Sequence, residues 1–220
     1  NPCIVDAVIE MLSLSYYKNE AAKSGMVHNT ANHEEIIAQT LIKHGFIKFE
    51  PKSKMKKETT MKMLNNSEYA KDIPNGSFIE QPLGTHNSPD FIIKVNDKFV
   101  LFLEAKSSSN ALHPTYNSGG VKSEFLYVFC AEKTNKTTIF KGESIITLEQ
   151  QRLIDEHIEE ARKKDAELNK KLAEIDPQHR GISYYTRPMI NQKGDASYTD
   201  YFSHSQREEA EIKAIEWLIK

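Results

Sequence analysis

Apolar positions recur in two rhythms along the 220-residue chain, helical towards both ends and strand-like in the middle. Near the start, Ile4, Val5, Val8, Met11 and Leu12 repeat at helical spacing behind Asn1-Pro2, a cap followed by the residue favoured at the first helical position. This predicts a helix running to about Tyr16. A polar stretch leads to Asn32-His33-Glu34-Glu35, a cap-like opening to a second helix whose Ile36, Ile37, Thr40 and Leu41 form an apolar face ending at Gly45. Residues 51–71 are lysine-rich with weak periodicity and read as helix or loop, and Pro74-Asn75-Gly76 marks a turn.

From residue 91 the apolar pattern becomes strand-like. Residues 91–95 and 98–107 are rich in β-formers and flank the turn pair Asn96-Asp97, which predicts a hairpin. Residues 124–131 and 137–141 add a third and a fourth strand, so a sheet of at least four strands is expected. Thr147-Leu148-Glu149-Gln150 then forms a capping box opening a long helix to about Ile175, where Asp176-Pro177 stops it. Its Ile154, Ile158, Ala161, Leu168, Leu172 and Ile175 make one narrow apolar stripe, interrupted at Asp165, that suits packing on the sheet or contact with a second subunit. Residues 178–202 hold four tyrosines and few aliphatic residues, and a last helix from about Ser205 carries Ala210, Ala214, Ile215, Leu218 and Ile219. The fold class expected is α/β, a mixed central β-sheet flanked by α-helices. A single domain over 1–220 would place the sheet at about 78–146 and helical flanks at about 1–46 and 147–220.

Composition narrows the function classes. Hydrophobic residues make up 39% and charged residues 27%, which excludes disorder of the whole chain. No apolar run approaches the roughly 20 residues of a membrane helix, so no membrane span is expected. Two cysteines, Cys3 and Cys130, are too few for a disulfide scaffold, and without a visible leader a reducing, cytoplasmic setting is expected. The net charge is −2, but it is unevenly spread: eight lysines face three glutamates between Lys43 and Lys71, while nine acids face six bases from Glu149 to Asp176. The first segment suits phosphates and the second repels them, although each also reads as an ordinary solvated face.

The chemistry concentrates on the hairpin. Asp90, in Ser88-Pro89-Asp90, opens its first strand; Glu104 and Lys106, in Glu104-Ala105-Lys106-Ser107-Ser108-Ser109, close its second. Alternation puts Leu101, Leu103 and Ala105 on one face and Phe102, Glu104 and Lys106 on the other. The outer ends of a hairpin lie together, so Asp90 is expected beside both charged groups, a costly arrangement in an apolar sheet unless it has a purpose. Two carboxylates and the Ala105 backbone carbonyl are the oxygen ligands Mg2+ prefers, and the lysine is placed to orient an attacking water and offset charge building on phosphorus.

These residues resemble the motif of the PD-(D/E)xK nuclease superfamily, with Asp90, Glu104 and Lys106 at its first acid, second acid and lysine. The likeness is greatest to type II restriction endonucleases, because Ser107-Ser108-Ser109, His113-Pro114-Thr115-Tyr116-Asn117-Ser118-Gly119-Gly120 and a strand follow. It covers about 35 residues. The resemblance implies a restriction-endonuclease-like fold and cleavage of both strands of double-stranded DNA with Mg2+, for which Mn2+ substitutes. It also implies a homodimer on a palindromic site and a cognate DNA methyltransferase as functional partner. Many members place a glutamate from an early helix at the metal site. Glu35 is the candidate here, although glutamate three residues after an Asn32 cap is also expected for capping alone, and Glu10 is a weaker one.

Readers of DNA must lie elsewhere, since the motif meets only phosphate. Ser107, Ser108, Tyr116, Asn117 and Lys122 follow the motif, and Arg180, Tyr184, Tyr185, Arg187, Asn191, Gln192 and Lys193 offer side chains that pair with base edges. Lys54, Lys56 and Lys57 suit phosphates. A structure-specific repair or junction-resolving nuclease, or a non-catalytic DNA-binding or dimerisation module, are the rival readings. His28 and His33 lack a zinc spacing and read as surface residues, and Trp217 reads as core.

Overall fold

The computed structural model describes residues 3–15, 30–85, 87–117, 120–192 and 200–219. Its elements in chain order are α1 (Ile4–Met11), α2 (Thr30–Lys43), β1 (Ile47–Lys48), α3 (Lys57–Lys62), β2 (Ser77–Glu80), β3 (Phe91–Lys94), β4 (Val100–Ser108), β5 (Leu126–Ala131), β6 (Lys136–Lys141), α4 (Leu148–Glu174) and α5 (Arg207–Ile219). Short 3-10 turns stand at Ser67–Ala70 and Gly142–Ser144. The strands form one six-stranded sheet in sequence order. Strand β1 is parallel to β2, the β2-β3-β4 pairs are antiparallel, β5 is parallel to β4, and β6 is antiparallel to β5. The class is therefore mixed α/β, an open mixed sheet with flanking helices, and the four strands expected from the sequence are all present.

Strands β1 and β2 extend the sheet beyond the expected start at 78. The first has two residues, and three of the four positions of the second are buried, so neither shows the alternation that marks a half-buried strand.

Alternation along β3, β4 and β5 divides two cores. Phe91, Ile93, Leu101, Leu103, Leu126 and Val128 pack with α1, α2 and the Ala214–Leu218 face of α5. On the other side Ile92, Phe102, Tyr127, Phe129 and Phe140 pack with Tyr116, Phe125 and Tyr201. The aromatic core is held by ring contacts, with Tyr127 and Phe140 stacked at 5.2 Å and Phe140 edge-on to Tyr201 at 5.1 Å. Trp217 is partly buried against the first core, edge-on to Phe99 at 5.4 Å.

Two helix starts and stops differ from expectation. Helix α1 ends at Met11, and Tyr16 lies outside the described residues. Helix α2 begins at Thr30, so Asn32 is inside it rather than at its cap. His33 is not a surface residue: it is 4% exposed and its Nε2 lies 3.2 Å from the Val128 carbonyl, because it falls on the helix face that meets the sheet. Burial lowers its pKa. His28 lies outside the described residues.

Helix α4 opens as expected, with Thr147 Oγ1 accepting from the Gln150 amide at 3.2 Å and Gln150 Oε1 accepting from the Thr147 amide at 3.0 Å. No residue in it is fully buried, so its stripe does not lie flat on the sheet. An extended strap runs back along it instead. The Tyr184 amide donates to Asn169 Oδ1 at 2.7 Å, the Thr186 amide donates to Asp165 Oδ2 at 2.6 Å, and Ile190 pairs with Tyr116 as an antiparallel bridge. The Asp165 that interrupts the stripe is thus the strap's anchor.

Candidate active site

Strand β3 covers β4 only as far as the Phe91–Leu103 pair, while β4 runs on to Ser108 against β5. The uncovered edge from Glu104 onward is where the charged residues meet. Asp90, the residue before β3, turns its carboxylate onto this edge: Oδ2 accepts the Ala105 amide at 2.8 Å, in place of a ladder bond that a longer β3 would make. Glu104 and Lys106 share the other face of β4 from Leu103 and Ala105, as alternation requires, and Lys106 Nζ donates to Glu104 Oε1 at 2.7 Å. Asp90 is 9% exposed and Glu104 4%, with Lys106 half-buried beside them. The structure therefore brings the three expected residues together.

The helix glutamate at this site is Glu34, not Glu35. Glu35 is exposed and, among the described residues, bonds along its own helix, accepting from Gln39 at 3.4 Å. Glu34 is half-buried and accepts from Gln81 Nε2 at 2.6 Å; the same nitrogen lies 3.4 Å from Asp90 Oδ1. Gln81 stands just after β2 with φ +49°, and this left-handed backbone directs the amide between the two carboxyls. Helical phase explains the exchange. Glu34 shares a face with buried Ile37, Ala38 and Leu41 at i+3, i+4 and i+7, whereas Glu35 shares one with exposed Gln39 and Ile42. Glu10 pairs instead with Lys43 at 2.8 Å, away from the site.

Burial and like charge set the protonation. Desolvation pushes the Asp90 carboxyl up to about 8, the negative charges of Glu104 and Glu34 add to the rise, and Lys106 and the Ala105 amide oppose it. Glu34 is also raised, mainly by burial, against the Gln81 hydrogen bond. Among the described residues, no three His, Cys, Asp or Glu side chains converge as a ready-made cage for a cation. Yet Glu104 Oε2 and Gln81 Oε1 are both buried with no hydrogen-bond partner among the described residues. Buried oxygens without donors are costly, and a hard cation satisfies such atoms directly. The oxygen set fits Mg2+, which uses one or two carboxylates and keeps several waters.

The expected DNA contacts scatter. Tyr116 is 1% exposed and its hydroxyl lies 2.9 Å from that of Tyr201, so it is a core residue and not a reader of bases. Ser107 and Ser108 continue β4 past Lys106, half-buried, with Ser108 Oγ accepting from the Ala111 amide at 2.9 Å. Asn117 is half-buried. Lys122 pairs with Asp155 at 2.5 Å. Lys54 and Lys56 are exposed just before α3, which Lys57 begins. Arg180, Tyr184, Tyr185, Arg187 and Asn191 lie exposed on or beside the strap, Arg180 paired with Asp176 at 3.4 Å. Gln192 turns inward to accept from the Tyr201 hydroxyl at 2.6 Å, and Lys193 lies outside the described residues. Glu34 and Gln81 are the functional candidates beyond the expected set. No known protein family, no curated protein and no solved structure matches this chain.

Proposed function

We propose that this chain is a Mg2+-dependent endonuclease of the PD-(D/E)xK kind, hydrolysing phosphodiester bonds of double-stranded DNA at a short palindromic site as type II restriction enzymes do. On this reading the open sheet is restriction-endonuclease-like, two copies act together on the two strands, and a methyltransferase protects the host's sites. One observation carries the proposal: Asp90, Glu104 and Lys106 meet at the uncovered edge of β4, with a buried carboxylate oxygen that no described residue pairs.

Asp90, Glu104 and the Ala105 carbonyl would hold Mg2+ or Mn2+, which when bound supplies positive charge to the phosphoryl oxygens. The rest is the work of the chain. Glu104 fixes the Lys106 ammonium by a 2.7 Å bond, so that its positive charge faces the region where negative charge grows. A water oriented by Lys106 forms the new bond to phosphorus, one ester bond breaks, and the water's proton ends on the departing alkoxide. Gln81 holds the Glu34 and Asp90 carboxyls on either side of its amide, which keeps Asp90 aimed at β4.

The test is incubation of the purified protein with sequenced plasmid or phage DNA, with Mg2+ and with EDTA, followed by sequencing of fragment ends. Discrete fragments that require the metal are expected. A smear would remove the site-specific part of the proposal, and cleavage confined to branched DNA would replace the substrate. Nucleic acids left intact under every divalent metal would overturn the reading.

A further inference from the structure

A cavity of about 280 Å3 opens beside the site, with basic side chains from three separate elements: Lys57 at the start of α3, Lys122 before β5, and Arg162 on α4. Ser88 lines it as well, and the Ser88 hydroxyl oxygen is buried with no hydrogen-bond partner among the described residues. Two of its walls are continuous with the candidate active site. Ser88 precedes Asp90 by two positions, and the Lys122 amide donates at 2.8 Å to the hydroxyl of Tyr127, which stands beside Glu104 in the β4–β5 register.

The charges in the cavity do not cancel. Lys122 pairs with Asp155 at 2.5 Å and Arg162 lies 3.7 Å from Glu159, but among the described residues Lys57 has no ion-pair partner. Lys57 keeps an exposed face; partial loss of water and the nearby charges of Arg162 and Lys122 lower its pKa, while Asp155 and Glu159, which also line the cavity, oppose this, so an incoming anion meets a wall with one positive charge in excess. A phosphodiester carries one negative charge, the amount needed. Lys52, Lys54 and Lys56, exposed as Lys57 is, lead up to it and continue the positive track outward.

We propose that this cavity is a phosphodiester-binding subsite in which Lys57, Arg162 and the Ser88 hydroxyl hold a backbone phosphate next to the one being cut. This rests on the nuclease reading and adds Arg162 and Ser88 to it. The subsite positions the strand and reads no sequence.

The experiment measures binding of the full chain to duplex DNA in Ca2+ across a range of salt, alongside cleavage of the same DNA in Mg2+. Lys57→Gln and Arg162→Gln are each expected to weaken binding roughly fivefold to tenfold and to reduce the slope of log affinity against log salt by about one. Arg162→Lys should recover most of the loss, and Lys213→Gln, on the exposed side of α5, should change nothing. Wild-type binding and slope in both glutamine variants, with cleavage intact, would overturn the subsite and leave the nuclease reading standing. A wild-type chain that neither binds nor cuts DNA would overturn both.

Discussion

Asp90 and Ala105 are joined by a 2.8 Å hydrogen bond from the Ala105 amide to the Asp90 carboxylate, tying the end of β3 to the part of β4 that β3 leaves uncovered. Asp90→Asn keeps an oxygen that accepts this bond and removes the charge. The variant should therefore fold and bind DNA as wild type while cleavage falls by roughly a hundredfold or more, the scale of losing one electrostatic contact to the reaction. Single-turnover cleavage beside a thermal melt checks this, and normal cleavage would take Asp90 out of the metal site.

Lys106→Ala should abolish cleavage and spare DNA binding. It also strands Glu104, 6% exposed at its side chain, as a buried carboxylate without the one hydrogen bond it makes among the described residues, which costs about 3–5 kcal/mol when the charge stays. Denaturant melts at neutral pH read the stability, and a gel-shift in Ca2+ reads the binding. Retained cleavage would remove Lys106 from the mechanism.

The Asp90 carboxyl, raised to about 8 from an ordinary value of 3.8, makes metal-free stability depend on pH. Between those values the folded chain holds a proton that the unfolded chain has lost, so stability falls as pH rises from about 4 to about 8 and then levels. Glu34, also raised, acts in the same direction. Melting in EDTA across this window should show the decline, and Asp90→Asn should flatten it. Divalent metal, which needs the ionised carboxylate, should bind more tightly as pH rises through the same window. A melting temperature that climbs with pH in EDTA would contradict the burial argument.

Glu34 and Glu35 lie on different faces of α2, and the proposed site separates them. Glu34→Gln should raise the Mg2+ concentration for half-maximal cleavage by about tenfold to a hundredfold, since it sets the position of Asp90 through Gln81. Glu35→Gln should leave the metal dependence unchanged. Equal effects of the two would place the wrong face of α2 against the site.

Tyr116 links the loop after β4 to the strap and to Tyr201, inside the aromatic core. Tyr116→Ala should cost about 3–5 kcal/mol of stability, as other large aromatic deletions do, with no change in the sequence cut. Tyr185→Ala, at a position 75% exposed, should leave stability untouched. Chemical denaturation decides between them.

The clustering of the charged trio was legible because strand alternation and a turn are local signals: Asn96-Asp97 sets the hairpin, and the hairpin alone brings Asp90 to Glu104 and Lys106. Glu34 was legible in principle, since its spacing to Ile37, Ala38 and Leu41 marks the buried face, but the cap-like Asn32 pointed one residue further along. Tyr116 was not. Its burial depends on Ile190 and Tyr201, more than seventy positions away, and a glycine-bearing loop gives no local hint of such a partner. Arg162 was hidden for the same reason, as one basic residue on a helix rich in both signs until the fold sets it opposite Lys57.

Helix α4 has an energetic independence that follows from its lack of any fully buried residue. Much of its cohesion is local, a capping box, an Arg152–Glu156 pair one turn apart, and the Asp165 and Asn169 bonds to the strap, while the Lys122–Asp155 pair and the Ser123 amide donating to Gln151 Oε1 tie its first turns to the segment before β5. Opening it exposes little apolar surface, so its fluctuations are only weakly coupled to the unfolding of the sheet. Arg162 stands on that helix while Asp90 and Glu104 stand on the sheet. One wall of the cavity and the charged cluster beside it therefore belong to parts of the molecule that open at different free energies, and on the subsite proposal a bound strand would be gripped by the more yielding of the two.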